Sequence, residues 1–243
     1  YVKNEKPDVI INIVDATNLS RSLFFTTQIL ELGIPVVVAL NKSDVNKKRQ
    51  TDIDSKILSE KLGCPVVNTI STSSDGLSDV IKKAVEQAEC IAVGGGNTFH
   101  LVYELYKNEI MELISEKVMN GTAYMGWSAG SNVAGPSLKT TNDMPIIEPK
   151  SFDCMKLVPF QINPHYTDFF DPKHGGETRD DRLNEFIIVN PNIWVAGIRE
   201  ATALRLKEGK LSLIGRDNKM KVFHGGMEPK EYSLTDDINF LMK

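Results

Sequence analysis

Short runs rich in valine and isoleucine alternate with segments of helical period through the first 135 residues, and that alternation limits the possible folds more than any single motif does. A strand buried on both faces reads as an unbroken β-branched run, and a parallel neighbour can follow it only after a crossover long enough to hold a helix. The runs Val9 to Val14, Pro35 to Leu40, Pro65 to Ile70, Cys90 to Val93 and Ala123 to Gly126 read as such strands, each followed by polar or glycine-rich turn residues. Helices fill the gaps. Leu77 to Gln87 is one, and in Phe99 to Val118 the residues Val102, Leu105, Tyr106, Leu113, Ile114 and Val118 recur at three- and four-residue spacings, predicting a single helix with one apolar stripe. The expected fold class is α/β, a doubly wound, mostly parallel sheet flanked by helices. Beyond Pro136, prolines at 145, 149, 159, 164 and 172 predict a loop-rich region before the last strands.

Composition narrows the function. At 243 residues, 41% hydrophobic and 25% charged, the chain can bury a substantial core, as one large domain or two small ones. Acidic residues outnumber basic ones 32 to 28, and neither half carries the basic surplus that suits nucleic acid. Apolar runs such as Ile34 to Leu40 fall far short of a bilayer, so no membrane segment is expected. Cys64, Cys90 and Cys154 are an odd, widely spaced set without a Cys-x-x-Cys, which argues against a disulfide framework and against a zinc site and suits a reducing cytoplasm. The chain starts at Tyr1 with neither an initiator methionine nor a signal-peptide pattern, as expected of a piece of a longer reading frame.

Gly126-Trp127-Ser128-Ala129-Gly130 follows a predicted strand and precedes the small-residue segment Ser131 to Gly135, which could begin a helix. That context suits a nucleophile elbow, where a sharp strand-to-helix turn exposes the serine hydroxyl and needs glycine two residues either side. The pentapeptide alone would fit an ordinary glycine turn equally well. Gly94-Gly95-Gly96-Asn97 follows the preceding strand and leaves backbone N–H groups free of side-chain bulk. With Ala129, Gly95 or Gly96 could form a two-donor oxyanion hole. Neither a dinucleotide fingerprint nor a phosphate loop is present in that run. A serine needs a base, and only four histidines exist. His165, after apolar residues and Pro164, is favoured over His100 in a predicted helix, His224 at a strand end and His174 on a solvated loop. The carboxylates that could orient it are too many to choose among by type alone.

Four separate motifs then appear in one family's order: Val93-Gly94-Gly95-Gly96-Asn97-Thr98-Phe99, Gly126 to Gly130, Thr140-Thr141-Asn142-Asp143-Met144-Pro145 and Asn163-Pro164-His165. From about Glu89 onward, residues 89–243 resemble the peptidase E family. The resemblance implies a serine peptidase, without metal or organic cofactor, that hydrolyses dipeptides beginning with aspartate (Asp-Xaa). Ser128 would be the nucleophile and His165 the base. Asp143, and Glu200 in Gly197-Ile198-Arg199-Glu200, compete to orient the base. Read without the family, Asp143 is a loop-capping carboxylate and Glu200 a strand-end charge. Arg179 matches the family segment that binds the substrate's side-chain carboxylate, a task for which a planar guanidinium is suited. By composition alone, Arg179 to Arg182 is a solvated helix face. A related hydrolase acting on other aspartyl linkages, such as cyanophycin fragments, would use the same triad.

Residues 1–88 instead resemble the second half of the G domain of ferrous-iron transporter B, a GTPase-like run of βα units. The resemblance rests on Val14-Asp15-Ala16-Thr17-Asn18-Leu19, on Leu32 to Asn41, on Lys61 to Val67 and on Ser71 to Gly76. It implies that Asn41-Lys42-Ser43-Asp44 reads guanine, Asp44 accepting from the ring and Asn41 touching its other edge. The phosphate loop would lie upstream of Tyr1, so GTP hydrolysis is not expected and binding should be weak. The join falls near Ala88, and one sheet running through both parts is conceivable. Two alternatives to the peptidase therefore stand, a guanine-nucleotide-binding fragment and an inactive hybrid.

Overall fold

The computed structural model describes residues 7–48, 51, 53–169, 175–216 and 219–243, and the chain divides into two compact units. The first comprises residues 1–91 and 107–123, the second residues 92–106 and 124–243. Among the described residues no helix is long and apolar enough to cross a membrane.

In the first unit, strands β1 (Ile10–Asp15), β2 (Val36–Asn41) and β3 (Val66–Thr69) form a parallel sheet in that order, with Ile10 opposite Val36 and Val38 opposite Val66. β2 is central, and its first five residues are all buried, which is why Val36 to Leu40 is an unbroken apolar run. Its even-numbered residues join Val14 and Cys64 on one face, while Val37 and Ala39 meet Val80 on the other. Val80 belongs to helix α4 (Leu77–Gln87), which follows α1 (Leu19–Leu30), α2 (Ser43–Lys48) and α3 (Ser55–Leu62).

The single helix expected over Phe99 to Val118 is two, α5 (Thr98–Lys107) and α6 (Met111–Met119). The chain breaks at Asn108 to Ile110, where Glu109 adopts φ 54°. Partners on α4 hold the break: Ser78 Oγ donates to Asn108 Oδ1 at 2.9 Å, and Lys82 pairs with Glu109. Apolar spacing cannot register a break fixed by polar contacts with a distant helix.

Strands β4 (Cys90–Val93) and β5 (Ala123–Gly126) pair with each other, and β5 leads into the short helix α7 (Ala129–Asn132). Between Pro136 and Phe160 the ordered structure is a 3-10 turn, Leu138–Thr140, and one bridge between Ser137 and Asp153. In the second unit β6 (Gln161–Pro164) runs parallel to β7 (Val195–Ile198), and β10 (Met220–Phe223) and β11 (Lys230–Tyr232) continue the sheet antiparallel, in the order β11-β10-β7-β6. β8 (Thr202–Lys207) and β9 (Lys210–Gly215) form a hairpin. Helix α8 (Arg179–Val189) opens with a capping box between Thr178 and Asp181 and buries Leu183 and Ile187 against Tyr166, Val195 and Phe223. Phe160, Ile162, Ala196, Met220 and Val222 centre the other core.

Candidate active site

Ser128, two residues after β5, caps α7 with φ 55° and ψ −119°, a conformation that L-residues rarely adopt and that the surrounding backbone must hold. The glycines explain how the turn closes. A Cβ on Gly126 would lie 2.4 Å from the Gly130 carbonyl oxygen, and one on Gly130 would lie 2.0 Å from that of Val93. Close approach also allows Trp127 N–H to donate to Val93 O at 3.2 Å and Gly130 N–H to Gly94 O at 3.1 Å. Tyr124 Oη donates to Gly130 O at 2.6 Å, and burial pushes that phenol well above its usual range.

The glycine loop lies against the serine. A Cβ on Gly95 would come within 3.0 Å of Ser128 Cβ and 3.3 Å of its Oγ, so only glycine leaves the hydroxyl accessible from that side. The N–H groups of Gly95, Gly96 and Ala129 donate to no partner among the described residues. Ala129 is buried, and its N–H begins α7.

His165 follows β6 in a left-handed conformation, φ 54°, with its ring exposed. Its Nδ1 meets Glu200 Oε1 in a short contact that, with the proton on Nδ1, leaves Nε2 as an acceptor. Glu200 sits in a tight turn after β7, where Thr202 Oγ1 donates to Arg199 O at 2.6 Å. The two side chains border an open cleft that Asp168, Phe169 and Arg199 also line. No hydrogen bond joins Ser128 to His165 among the described residues.

Asp143 is engaged elsewhere. It accepts from Thr98 N–H at 2.7 Å, from Thr98 Oγ1 at 2.6 Å and from Thr141 Oγ1 at 3.2 Å, tying its loop to the start of α5. Asn97 Nδ2, which donates to Met144 O at 2.8 Å, ties the same two segments.

Arg179 begins α8 and is half-buried, which, with Arg182 nearby, pushes its guanidinium below its usual range. It donates to Asn142 Oδ1. Of the other histidines, His100 lies exposed on α5, 3.7 Å from Glu104. His224 stacks on Trp194 with ring centroids 4.0 Å apart, and His174 falls outside the described residues.

Sequence reasoning passed over a polar network that shares Asp168 and Arg199 with the lining of the cleft. The buried Tyr166 hydroxyl donates to Asp168 at 2.8 Å and also meets Asp180. Lys221 Nζ lies 2.6 Å from Asp180, while Arg199 pairs with Asp168, grips Glu231 at 2.7 and 2.8 Å, and stands 5.0 Å from the Tyr166 ring centroid. Glu231 and Asp168 hold the Arg199 guanidinium above its usual range; burial, then Asp180 and Asp168, do the same to the Tyr166 phenol. The available signal was adjacency, since Tyr166 follows His165 and Arg199 precedes Glu200. Asn142 was likewise on view, inside the Thr140 to Pro145 motif.

In the first unit, Asn41 and Ser71 are joined twice, Ser71 N–H to Asn41 Oδ1 at 3.0 Å and Asn41 Nδ2 to Ser71 Oγ at 3.3 Å. Lys42 Nζ bonds Asp15 at 2.7 Å, which together with Thr17 holds that carboxyl down at about 2. Asp44 lies 3.9 Å from Lys48 in α2.

Comparison with known proteins agrees with both resemblances. The family described as Ferrous iron transport protein B matches residues 1–84. NFeoB from S. thermophilus bound to GDP.AlF4- and K+ is 44% identical over 36% of this chain and 34% of that one, with a TM-score of 0.35. The FeoB G-domain from Methanococcus jannaschii is 42% identical over 35% of this chain and 55% of that one, with a TM-score of 0.34. Peptidase E of Nostoc sp. is 50% identical over 159 residues, 65% of each chain. Peptidase E of Shewanella sp. (strain MR-4) is 51% identical over 162 residues, 67% of this chain and 68% of that one. The matched stretch thus spans about two thirds of the length of these relatives. The family described as Peptidase family S51 matches residues 47–214, the greater part of the sequence. The chain therefore belongs to peptidase family S51, a family of hydrolases that cleave peptide bonds.

Proposed function

We propose that the chain is a serine peptidase that hydrolyses Asp-Xaa dipeptides, with Ser128 as nucleophile, His165 as base and Glu200 as its orienting carboxylate. The strained Ser128 turn, with unpaired N–H groups beside it, is the observation that carries this reading. Ser128 Oγ attacks the scissile carbonyl while His165 Nε2 takes its proton. Glu200, at Nδ1, fixes the tautomer and stabilises the imidazolium. The N–H groups of Ala129 and of Gly95 or Gly96 receive the oxyanion, each donor contributing roughly 3 kcal/mol to the barrier reduction. Collapse of the tetrahedral intermediate expels the amine, protonated by His165, and water activated by the same imidazole then cleaves the acyl-enzyme. Substrate binding draws Ser128 and His165 into their hydrogen bond, as catalytic bonds commonly tighten in the Michaelis complex. Arg179 takes the substrate's side-chain carboxylate.

Engagement of Asp143 with Thr98 supports a supporting role for it, bracing the glycine loop rather than the base. Cys64, Cys90 and Cys154 are free thiols, which supports work in the cytoplasm. The test is hydrolysis of Asp-Leu beside Leu-Leu and β-Asp-Arg, with Ser128→Ala as control. Turnover confined to Asp-Leu and lost in the variant is expected. A folded protein without turnover would overturn the reading and leave an inactive hybrid.

A second reading attaches to the first unit, where the Asn41–Ser71 pairing supports a guanine-reading loop with Asp44 as acceptor. Titration with fluorescent GDP, repeated on Asp44→Asn, tests it; equal signals from the two proteins would remove it.

A further inference from the structure

We infer that Asn142 is a specificity-determining positioning residue, one that aims the Arg179 guanidinium at a substrate carboxylate without neutralising it. The inference rests on the aspartyl-dipeptidase reading above. Its first support is the orientation of the amide. Asn142 Oδ1 accepts from Arg179 and, at 2.7 Å, from Asn163 Nδ2, while Asn142 Nδ2 donates to Pro164 O at 2.7 Å. Turning the amide over would set its NH2 against two donors and its oxygen against a carbonyl, so only one orientation satisfies the site.

The second support is where the neighbouring charges go. Among the described residues no carboxylate lies within ion-pair distance of Arg179. Asp180 is held by Tyr166 and Lys221, Asp181 caps Thr178, and Glu177 lies 3.5 Å from Arg182. A half-buried guanidinium fixed only by a neutral amide oxygen keeps its full charge and most of its five N–H donors for an incoming ligand. A carboxylate in place of the amide would pair with Arg179 itself and compete with the substrate. Because Pro164 precedes His165, the same amide also relates the guanidinium to the base by two hydrogen bonds.

The experiment compares kcat/KM for Asp-Leu with that for its neutral isostere Asn-Leu, in the wild-type chain and in Asn142→Ala, Asn142→Asp and Arg179→Ala, each checked for folding by thermal melting. The Asp-Leu preference is expected to fall about tenfold in Asn142→Ala and about a hundredfold in Asn142→Asp, chiefly through KM. If Asn142→Ala does not fold, the near-isosteric Asn142→Asp carries the test. A preference in Asn142→Asp within about twofold of wild type, while Arg179→Ala has lost it, overturns the role of Asn142 and leaves that of Arg179. An Arg179→Ala variant that keeps the preference removes Arg179 from the site and Asn142 with it, whereas a wild-type protein with no such preference overturns the aspartyl reading as well.

Discussion

The carbonyl oxygen of Val93 occupies the place that a side chain on Gly130 would need, 2.0 Å from an ideal Cβ. The obstacle is backbone on both sides, so it cannot be relieved by a rotamer change. Gly130→Ala is expected to cost about 2–3 kcal/mol of stability and most of the activity, because relief must come from opening the turn that holds Ser128. Urea unfolding and Asp-Leu hydrolysis measure the two effects. Gly175→Ala, at a position with nothing within 4 Å of the added Cβ among the described residues, is the matched control and should be neutral. A Gly130→Ala protein as stable and active as that control would mean that the turn relaxes freely.

Glu200 and Asp143 are expected to separate in their kinetics. Glu200→Gln keeps the size of the side chain but favours the wrong imidazole tautomer, and kcat is expected to drop on the order of 10³- to 10⁴-fold. Asp143→Asn retains an acceptor for the Thr98 donors, and kcat should stay within about tenfold while stability falls by about 1–2 kcal/mol. Steady-state rates for both variants decide the matter. A larger kcat loss in Asp143→Asn than in Glu200→Gln would exchange the roles.

Alkali should loosen the fold through groups that are buried uncharged. Burial pushes the Cys154 thiol from about 9 up to about 12, with Asp153 adding to the rise. Between those values the unfolded chain has released a proton that the native protein retains, so stability is intact below pH 9 and declines as pH rises toward 12. The slope approaches about 1.4 kcal/mol per pH unit for each such group. Tyr124, raised chiefly by burial, contributes in the upper part of that window. Urea midpoints at pH 7.5, 9 and 10.5, as experimental settings on the order of the ordinary thiol pKa, should fall less steeply in Cys154→Ala. Parallel curves would show that this thiol is not the source.

Arg199 is expected to be irreplaceable by lysine. Its fork grips both oxygens of Glu231 and also reaches Asp168, with the side chain only 17% exposed. Arg199→Met should cost about 2–4 kcal/mol by leaving Glu231 without its cation, and Arg199→Lys should recover less than half, since an ammonium cannot bridge both carboxylates in the same geometry. Denaturant unfolding checks both; full recovery by lysine would reduce the network to simple charge balance.

Elements whose signal is local were legible in the sequence. Val36 to Leu40 showed as a strand because both faces are covered, and the elbow showed because its glycines answer to backbone approaches within a few residues of Ser128. The break at Glu109 was not legible, since its ion-pair partner, Lys82, lies 27 residues away on another helix. The partner of His165, 35 residues on, was not legible from residue type, since composition cannot rank the carboxylates; the family resemblance narrowed the choice to Asp143 and Glu200 without deciding it. Asn142 was visible as part of a motif, but nothing in its type tells that its oxygen faces a guanidinium.

The polar network at the cleft bears on how such a site can drift over generations. Tyr166, Asp180 and Arg199 each stand one residue along the chain from His165, Arg179 and Glu200, and Asp168 joins Tyr166 to Arg199 while Asp180 joins Tyr166 to Lys221. A change of charge or length at one of them shifts a neighbour that the proposed mechanism uses, so tolerated changes must come in matched sets. Across related sequences these positions should therefore covary as a block, even where the surface of α8 varies freely.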